Sequence, residues 1–151
     1  MDSKPYLIIA SRFNRLISHA LYDGAMDTFS QHNIKPGLVK TLWVPGCFEI
    51  PGVAAKAARS GSFAAVICLG AVIKGDTPHF DYVAGETARG IQQASIETGI
   101  PIVFGILTTH SEEQALSRCG LKSGNKGSEA ALTALSMTKV YRDLDEMIHH
   151  G

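Results

Sequence analysis

The 151-residue chain carries 14 Lys and Arg against 14 Asp and Glu, a formal net charge of zero, so it lacks the basic footprint of a nucleic-acid binder or a membrane-surface helix, and its ligands are expected to be small molecules. Its length suits one domain, residues 1–151, and the apolar run Tyr6 to Ala10 is too short for a signal-peptide core or a membrane span, which makes the cytoplasm the expected compartment. Cys47, Cys68 and Cys119 are odd in number and far apart, with no CxxC, which argues against a disulfide framework or a zinc ribbon and reads each as a small buried hydrophobe.

Tyr6-Leu7-Ile8-Ile9-Ala10 is continuously apolar, as expected of a parallel strand covered on both faces, and it ends in Ser11-Arg12-Phe13-Asn14-Arg15. From Leu16 to about Gln31, Leu16, Ala20, Gly24 and Thr28 fall on one helical face with Ile17, Leu21, Ala25 and Phe29 beside them, until Asn33 and Pro36-Gly37 break the pattern. A second strand, Leu38 to Val44, closes in Val44-Pro45-Gly46-Cys47-Phe48-Glu49-Ile50-Pro51-Gly52. Two prolines there fix the backbone on either side of Cys47, Phe48 and Glu49. An alanine-rich helix runs on to Arg59 and stops at Ser60-Gly61.

The third strand, Ala64 to Leu69, is the most apolar segment and delivers Gly70-Ala71-Val72-Ile73-Lys74-Gly75-Asp76-Thr77-Pro78-His79. Thr77 reads as an N-cap, Pro78 as the first helical residue, and Asp81 falls in the first turn, where the helix dipole favours negative charge. Such a start presents backbone N–H groups to an anion, with Lys74 adding charge and His79 a proton carrier. A capped strand-to-helix connection with no ligand has the same signature. The helix extends to about Thr98, with Val83, Thr87, Ile91 and Ala94 on one face, and Gly99 ends it. A fourth strand, Ile102 to Leu107, ends in Thr108-Thr109-His110. Ser111, with Glu112 and Glu113 behind it, starts a short helix that carries Arg118 and stops at Gly120. A polar connection, Leu121 to Gly127, leads to a last helix over about Ser128 to His149, striped by Ala131, Leu135, Met137, Tyr141, Leu144 and Ile148.

Strands alternating with helices imply a three-layer α/β/α sandwich: flavodoxin-like, a four-stranded parallel sheet with helices on both faces. Ligands of such sheets bind beyond the carboxyl ends of the strands. That rule gathers four loops on one edge: Ser11 to Arg15, Gly46 to Glu49, Ala71 to His79 and Thr108 to His110. The edge offers an aromatic in Phe13, a carboxylate in Glu49, an anion-binding turn over Lys74 to Thr77, and His79. Phe13 could equally cap helix packing, Glu49 could favour its own helix N-terminus, and His79 could be structural. His79 and His110 match no metal-ligand spacing. Asp76 would repel a phosphate unless the turn bound it through N–H groups with the carboxylate turned away.

Several runs together resemble lumazine synthase: Val44-Pro45-Gly46-Cys47-Phe48-Glu49-Ile50-Pro51; Leu69-Gly70-Ala71-Val72-Ile73-Lys74-Gly75 with Thr77, His79 and Tyr82; and Gly124-Asn125-Lys126-Gly127. Arg12-Phe13-Asn14 and Phe104-Gly105-Ile106-Leu107-Thr108 add to the match, which runs in order from about Leu7 to Met137. The resemblance implies a cofactor-free, metal-free step of riboflavin synthesis, joining 5-amino-6-(D-ribitylamino)uracil to 3,4-dihydroxy-2-butanone 4-phosphate. It assigns Phe13, with Asn14 beside it, to stacking on the pyrimidine. Cys47, Phe48 and Glu49 take the ribityl chain, and Ala71, Val72 and Ile73 give backbone contacts to the ring. Lys74, Asp76 and Thr77 fall at the phosphate turn, with Arg118 as phosphate-binding arginine, Lys126 as its helper and His79 as proton shuttle. In the family the counterparts of Phe104, Arg118 and Lys126 reach a neighbouring subunit's site, so a homopentamer is the expected minimum. The compact connection from Gly120 to Gly127 has the form found in sixty-subunit shells. The short segment before the first strand lacks the extra strand that many relatives add to a neighbour's sheet, which counts against a shell. Two other readings remain: a flavodoxin-like module holding a flavin or nucleotide phosphate, disfavoured by the bulky, charged loop Ser11 to Arg15, and a scaffold that has lost catalysis.

Overall fold

Strands covered on both faces are apolar almost throughout, as the two central strands are, with Ser11 at the end of the first as the buried polar exception. The computed structural model describes residues 3–120 and 124–150. β1 (Tyr6–Ser11) and β3 (Ala65–Ile73) are buried along almost their whole length. β2 (Val39–Val44) pairs with β1 and β4 (Ile102–Thr109) with β3, all parallel, in the order β2-β1-β3-β4. The helices are α1 (Arg15–Gln31), α2 (Ile50–Arg59), α3 (His79–Thr98), α4 (Glu112–Ser117) and α5 (Lys126–His150). This is the expected three-layer sandwich.

Strand parity divides the core. Tyr6, Ile8 and Ala10 with Ala65, Ile67 and Leu69 pack under Ile17, Leu21, Ala25 and Phe29 of α1 and Ala130, Ala131 and Ala134 of α5. Leu7, Ile9, Val66 and Cys68 pack on the other face with Ile50 and Ala54 of α2 and Ile91 of α3. One sheet thus serves two cores, because alternate side chains leave a strand on opposite faces.

Several boundaries differ from those the sequence predicts. β3 runs on to Ile73, so Ala71, Val72 and Ile73 are strand rather than turn, held by the pairs Ala71↔Leu107 to Ile73↔Thr109. α3 begins at His79, with Pro78 at the N-cap position. Thr77 still contributes, since its Oγ1 accepts the His79 N–H at 3.4 Å. In α1 the buried face centres on Ile17, Leu21, Ala25 and Phe29. Leu16 is 70% exposed, because it lies in the first turn, beyond the edge of the sheet core. α5 begins at Lys126 and buries Gly127, Ala130, Ala131 and Ala134. Leu144 and Ile148, expected in its packing stripe, are exposed with Val140 and Met147. Gly99 and Ser111 act as read: Gly99 has φ of 68° at the end of α3, and the Ser111 hydroxyl accepts the Gln114 N–H at 3.1 Å. Of the connection to α5, Leu121, Lys122 and Ser123 lie outside the described residues.

The small residues at the start of α5 set how close it lies to α1. Gly127 rests on the Leu21 carbonyl, where a Cβ would collide with backbone. Asn125 locks the same junction, donating from Nδ2 to the Ala20 carbonyl at 3.0 Å, while Ser128 donates to the Gly24 carbonyl at 3.0 Å. Gly127→Ala is therefore expected to destabilise the fold by about 2–4 kcal/mol, because two packed helices must separate to admit the methyl group. A chemical-denaturation midpoint within error of wild type would contradict this packing.

Candidate active site

The cavity at the carboxyl edge exists because β3 outlasts β1. The last β1–β3 pair is Ala10↔Leu69, whereas β3 stays paired to β4 as far as Ile73↔Thr109. One backbone edge of Ala71, Val72 and Ile73 thus has no strand beside it. Gly70 sits where the strands part, and a Cβ there would meet Ser11 Oγ at 2.5 Å and Cys47 Sγ at 2.7 Å. Cys47 begins a 3-10 turn, Cys47–Glu49, between the two prolines. The turn is anchored twice: Cys47 Sγ donates to the Ala71 carbonyl at 3.7 Å, and Thr87 Oγ1 of α3 donates to the Cys47 carbonyl at 3.3 Å. The backbone on the other side is tied to β2, the Arg12 N–H donating to the Val44 carbonyl at 2.7 Å and the Phe13 N–H to the Pro45 carbonyl at 3.2 Å.

These anchors enclose an open cavity of about 770 Å³, within the range of small-molecule sites. Cys47, Ala71, Val72 and Ile73 form its floor, Phe13, Phe48 and Glu49 one wall, and Gly75, Thr77 and His79 another. Phe13 is 67% exposed, Phe48 58% and Tyr82 68%, so three aromatic rings remain available to a ligand. Among the described residues Glu49 has no ion-pair partner. An apolar floor, exposed rings, a free carboxylate and an imidazole can hold a planar polar molecule and move its protons. Among the described residues no three His, Cys, Asp or Glu side chains gather where they could hold a metal ion.

A family model described as 6,7-dimethyl-8-ribityllumazine synthase matches residues 4–142 of the 151-residue chain. The chain belongs to the 6,7-dimethyl-8-ribityllumazine synthase family. The family's members are transferases of riboflavin biosynthesis that act on small molecules and form oligomers. No described helix is long and apolar enough to cross a membrane.

Of the residues expected in a lumazine synthase site, Phe13, Cys47, Phe48, Glu49, Ala71, Val72, Ile73, Thr77 and His79 share the cavity. Asn14, Lys74 and Asp76 are not among its lining residues. Asn14 takes the left-handed conformation, with φ of 59°, at the start of α1, and the Lys74 N–H is committed to the Thr109 carbonyl at 2.9 Å. Phe104 and Lys126 line a different groove, of about 380 Å³, between α3, β4 and α5. Arg118 adjoins them, its carbonyl accepting the Lys126 N–H at 2.9 Å. The two cavities have no lining residue in common. Phe80 and Val83 also line the first cavity and were not singled out as site residues. For Val83 the spacing carried the signal, since residues at i+3 and i+4, Tyr82 and Val83, share the His79 face of α3, whereas Phe80, at i+1, had no such signal.

Burial raises the Cys47 thiol above the ordinary value of 9.0, and raises Cys68, deeper in the same core, in the same direction. Below that value both folded and unfolded thiols are protonated, and their contribution to stability is complete. As pH rises past it the unfolded thiols ionise first, so stability falls by up to about 1.4 kcal/mol per pH unit for each thiol until the folded value is reached. Urea midpoints from about pH 8 to about pH 10 are expected to fall, and less steeply in Cys68→Ala. Equal slopes would remove burial as the cause.

Proposed function

We propose that the chain condenses 5-amino-6-(D-ribitylamino)uracil with 3,4-dihydroxy-2-butanone 4-phosphate to 6,7-dimethyl-8-ribityllumazine in the cytoplasm, at a site shared between adjacent subunits. The observation that carries this reading is the division of the site residues: one set lines the cavity beside β3, while Phe104 and Lys126, with Arg118 next to them, stand at the groove along the edge strand β4. A neighbour presenting its β4 groove would complete the set.

In this reading Phe13 stacks on the pyrimidine, with Asn14 holding the turn behind it. Backbone groups of Ala71, Val72 and Ile73 meet the ring edge, and Glu49 accepts ribityl hydroxyls beside Cys47 and Phe48. Asp76 and Thr77 supply the phosphate turn through N–H groups, Lys74 adds its side-chain charge to that turn, and the neighbour's counterparts of Arg118 and Lys126 neutralise the phosphate. The uracil amine attacks the ketone and water leaves to form a Schiff base. Loss of a proton beside the imine drives out phosphate, and ring closure with loss of water completes the lumazine. His79 carries protons between these steps. Acid–base help of this kind is worth roughly 10²–10⁴-fold, whereas holding two reactants together reaches effective molarities of about 10⁵–10⁸ M, so positioning contributes more.

His79→Ala is therefore expected to keep measurable activity. Arg118→Ala raises KM for the phosphate substrate more severely, and a normal KM there would overturn its role. Lumazine fluorescence on mixing the two substrates tests the reaction itself. For the shared site, Phe13→Ala and Arg118→Ala subunits, each impaired alone, should regain activity at low substrate when mixed and reassembled together, because some interfaces then hold two intact halves. Sedimentation separates the homopentamer proposed as the minimum from a sixty-subunit shell, and a stable active monomer would refute the sharing.

A further inference from the structure

On the other side of the loop that carries Phe13 lies a second concave site that the condensation leaves unused. Arg12, Arg15, His19 and Trp43 line a cavity of about 330 Å³. They come from the loop after β1, the first two turns of α1, and β2. The Arg12 N–H bond to the Val44 carbonyl fixes the loop against β2. His19 lies flat on the indole, centroids 4.6 Å apart at 17°, and Tyr22 braces the same ring at 5.4 Å. The indole, braced by two rings, is thus one wall of a cavity that Arg12 and Arg15 also line.

The charge on this wall is unbalanced. The ion pairs of the described residues join Arg59 to Glu97, Arg89 to Glu86 and Lys139 to Asp143. Neither Arg12 nor Arg15 has a carboxylate partner among them. The first turn of α1 holds no acidic residue, and Asn14 makes no side-chain cap bond there. Nothing lining the cavity is acidic. Two arginines lining one cavity without a counter-charge suit the oxygens of a phosphate, which guanidinium groups bind through paired N–H donors.

We propose that Arg12, Arg15 and His19 form a second anion site, binding a phosphate dianion against Trp43, either as free inorganic phosphate or as the phosphate group of a small ester. It is separate from the proposed condensation site and adjoins it through the loop from Arg12 to Arg15.

Trp43 is the chain's one tryptophan, so its fluorescence reports on this cavity directly. Titration of the intact protein with inorganic phosphate, and separately with glycerol 3-phosphate, is expected to give a saturable change that chloride at equal ionic strength does not. The titrant with the lower half-saturation identifies the source. Arg12→Gln and Arg15→Gln should each raise half-saturation about tenfold or more, the usual effect of removing a charge-assisted bond. Arg118→Gln should leave the Trp43 response unchanged, which separates this site from the phosphate site of the condensation. An identical response to chloride, a response that persists in both Arg12→Gln and Arg15→Gln, or one lost in Arg118→Gln would each overturn the proposal. The chloride comparison uses wild-type protein and stands even if a variant fails to fold.

Discussion

Ser11 and Cys47 close over Gly70 at the point where β1 and β3 part, and the carboxyl-edge cavity follows from that contact. Chain order places β1 between β2 and β3, so the connections leaving β1 and β3 run to opposite faces and open a crevice between them. A side chain at position 70 would push either the strand or the 3-10 turn aside. With only hydrogens there, the thiol reaches the Ala71 carbonyl, the turn seats under α3 through Thr87, and Glu49 and Phe48 face the crevice. Wall, floor and helix start all take their positions from one close approach.

Much of this was legible in the sequence because it rests on periodicity and chain punctuation. Unbroken apolar runs gave the two central strands, and the rule for parallel sheets placed four loops on one edge before any coordinate was known. Residues at the helix ends were also readable, since Gly99 and Ser111 act through their own backbone and side-chain chemistry. What misled was local preference overridden by pairing. Ala71 to Ile73 looked like the entrance to a turn, yet β4 supplies strand partners as far as Thr109 and keeps them extended. Thr77 and Pro78 formed a plausible cap, and the helix starts one residue later, at His79, with the Thr77 hydroxyl still accepting its N–H. Leu144 and Ile148 have helical spacing, and spacing alone does not supply a surface to pack on.

The division of the expected site residues has a topological origin. β4 is an edge strand, so the groove that Phe104 and Lys126 line lies beyond β3 from the crevice between β1 and β3. The backbone that carries Lys126 is fixed by its packing, since Gly127 lies on Leu21 and Asn125 is bonded to Ala20. The same contacts that stabilise the subunit therefore keep its cationic groups on the outer edge. The structure's rigidity, rather than any flexible element, is what makes a neighbour necessary in the shared-site reading.

The exposed rings lead to the same reading by magnitude. Burying one such side chain fully is worth about 1.5–3 kcal/mol. Phe13, Phe48 and Tyr82 are 58% to 68% exposed, which leaves roughly 3–6 kcal/mol for the three together to gain on covering. Micromolar affinity requires about 8 kcal/mol after the loss of translational and rotational freedom has been offset. Stacking in this cavity thus cannot by itself hold a small polar molecule tightly, and a phosphate dianion gains nothing from aromatic faces. Hydrogen bonds and charge must supply the difference, and for a phosphate the cavity's own lining offers no lysine or arginine. Arg118 and Lys126, the cations the shared-site reading assigns to the substrate phosphate, stand at the β4 edge of the sheet, so in that reading the strength of substrate binding depends on how subunits meet.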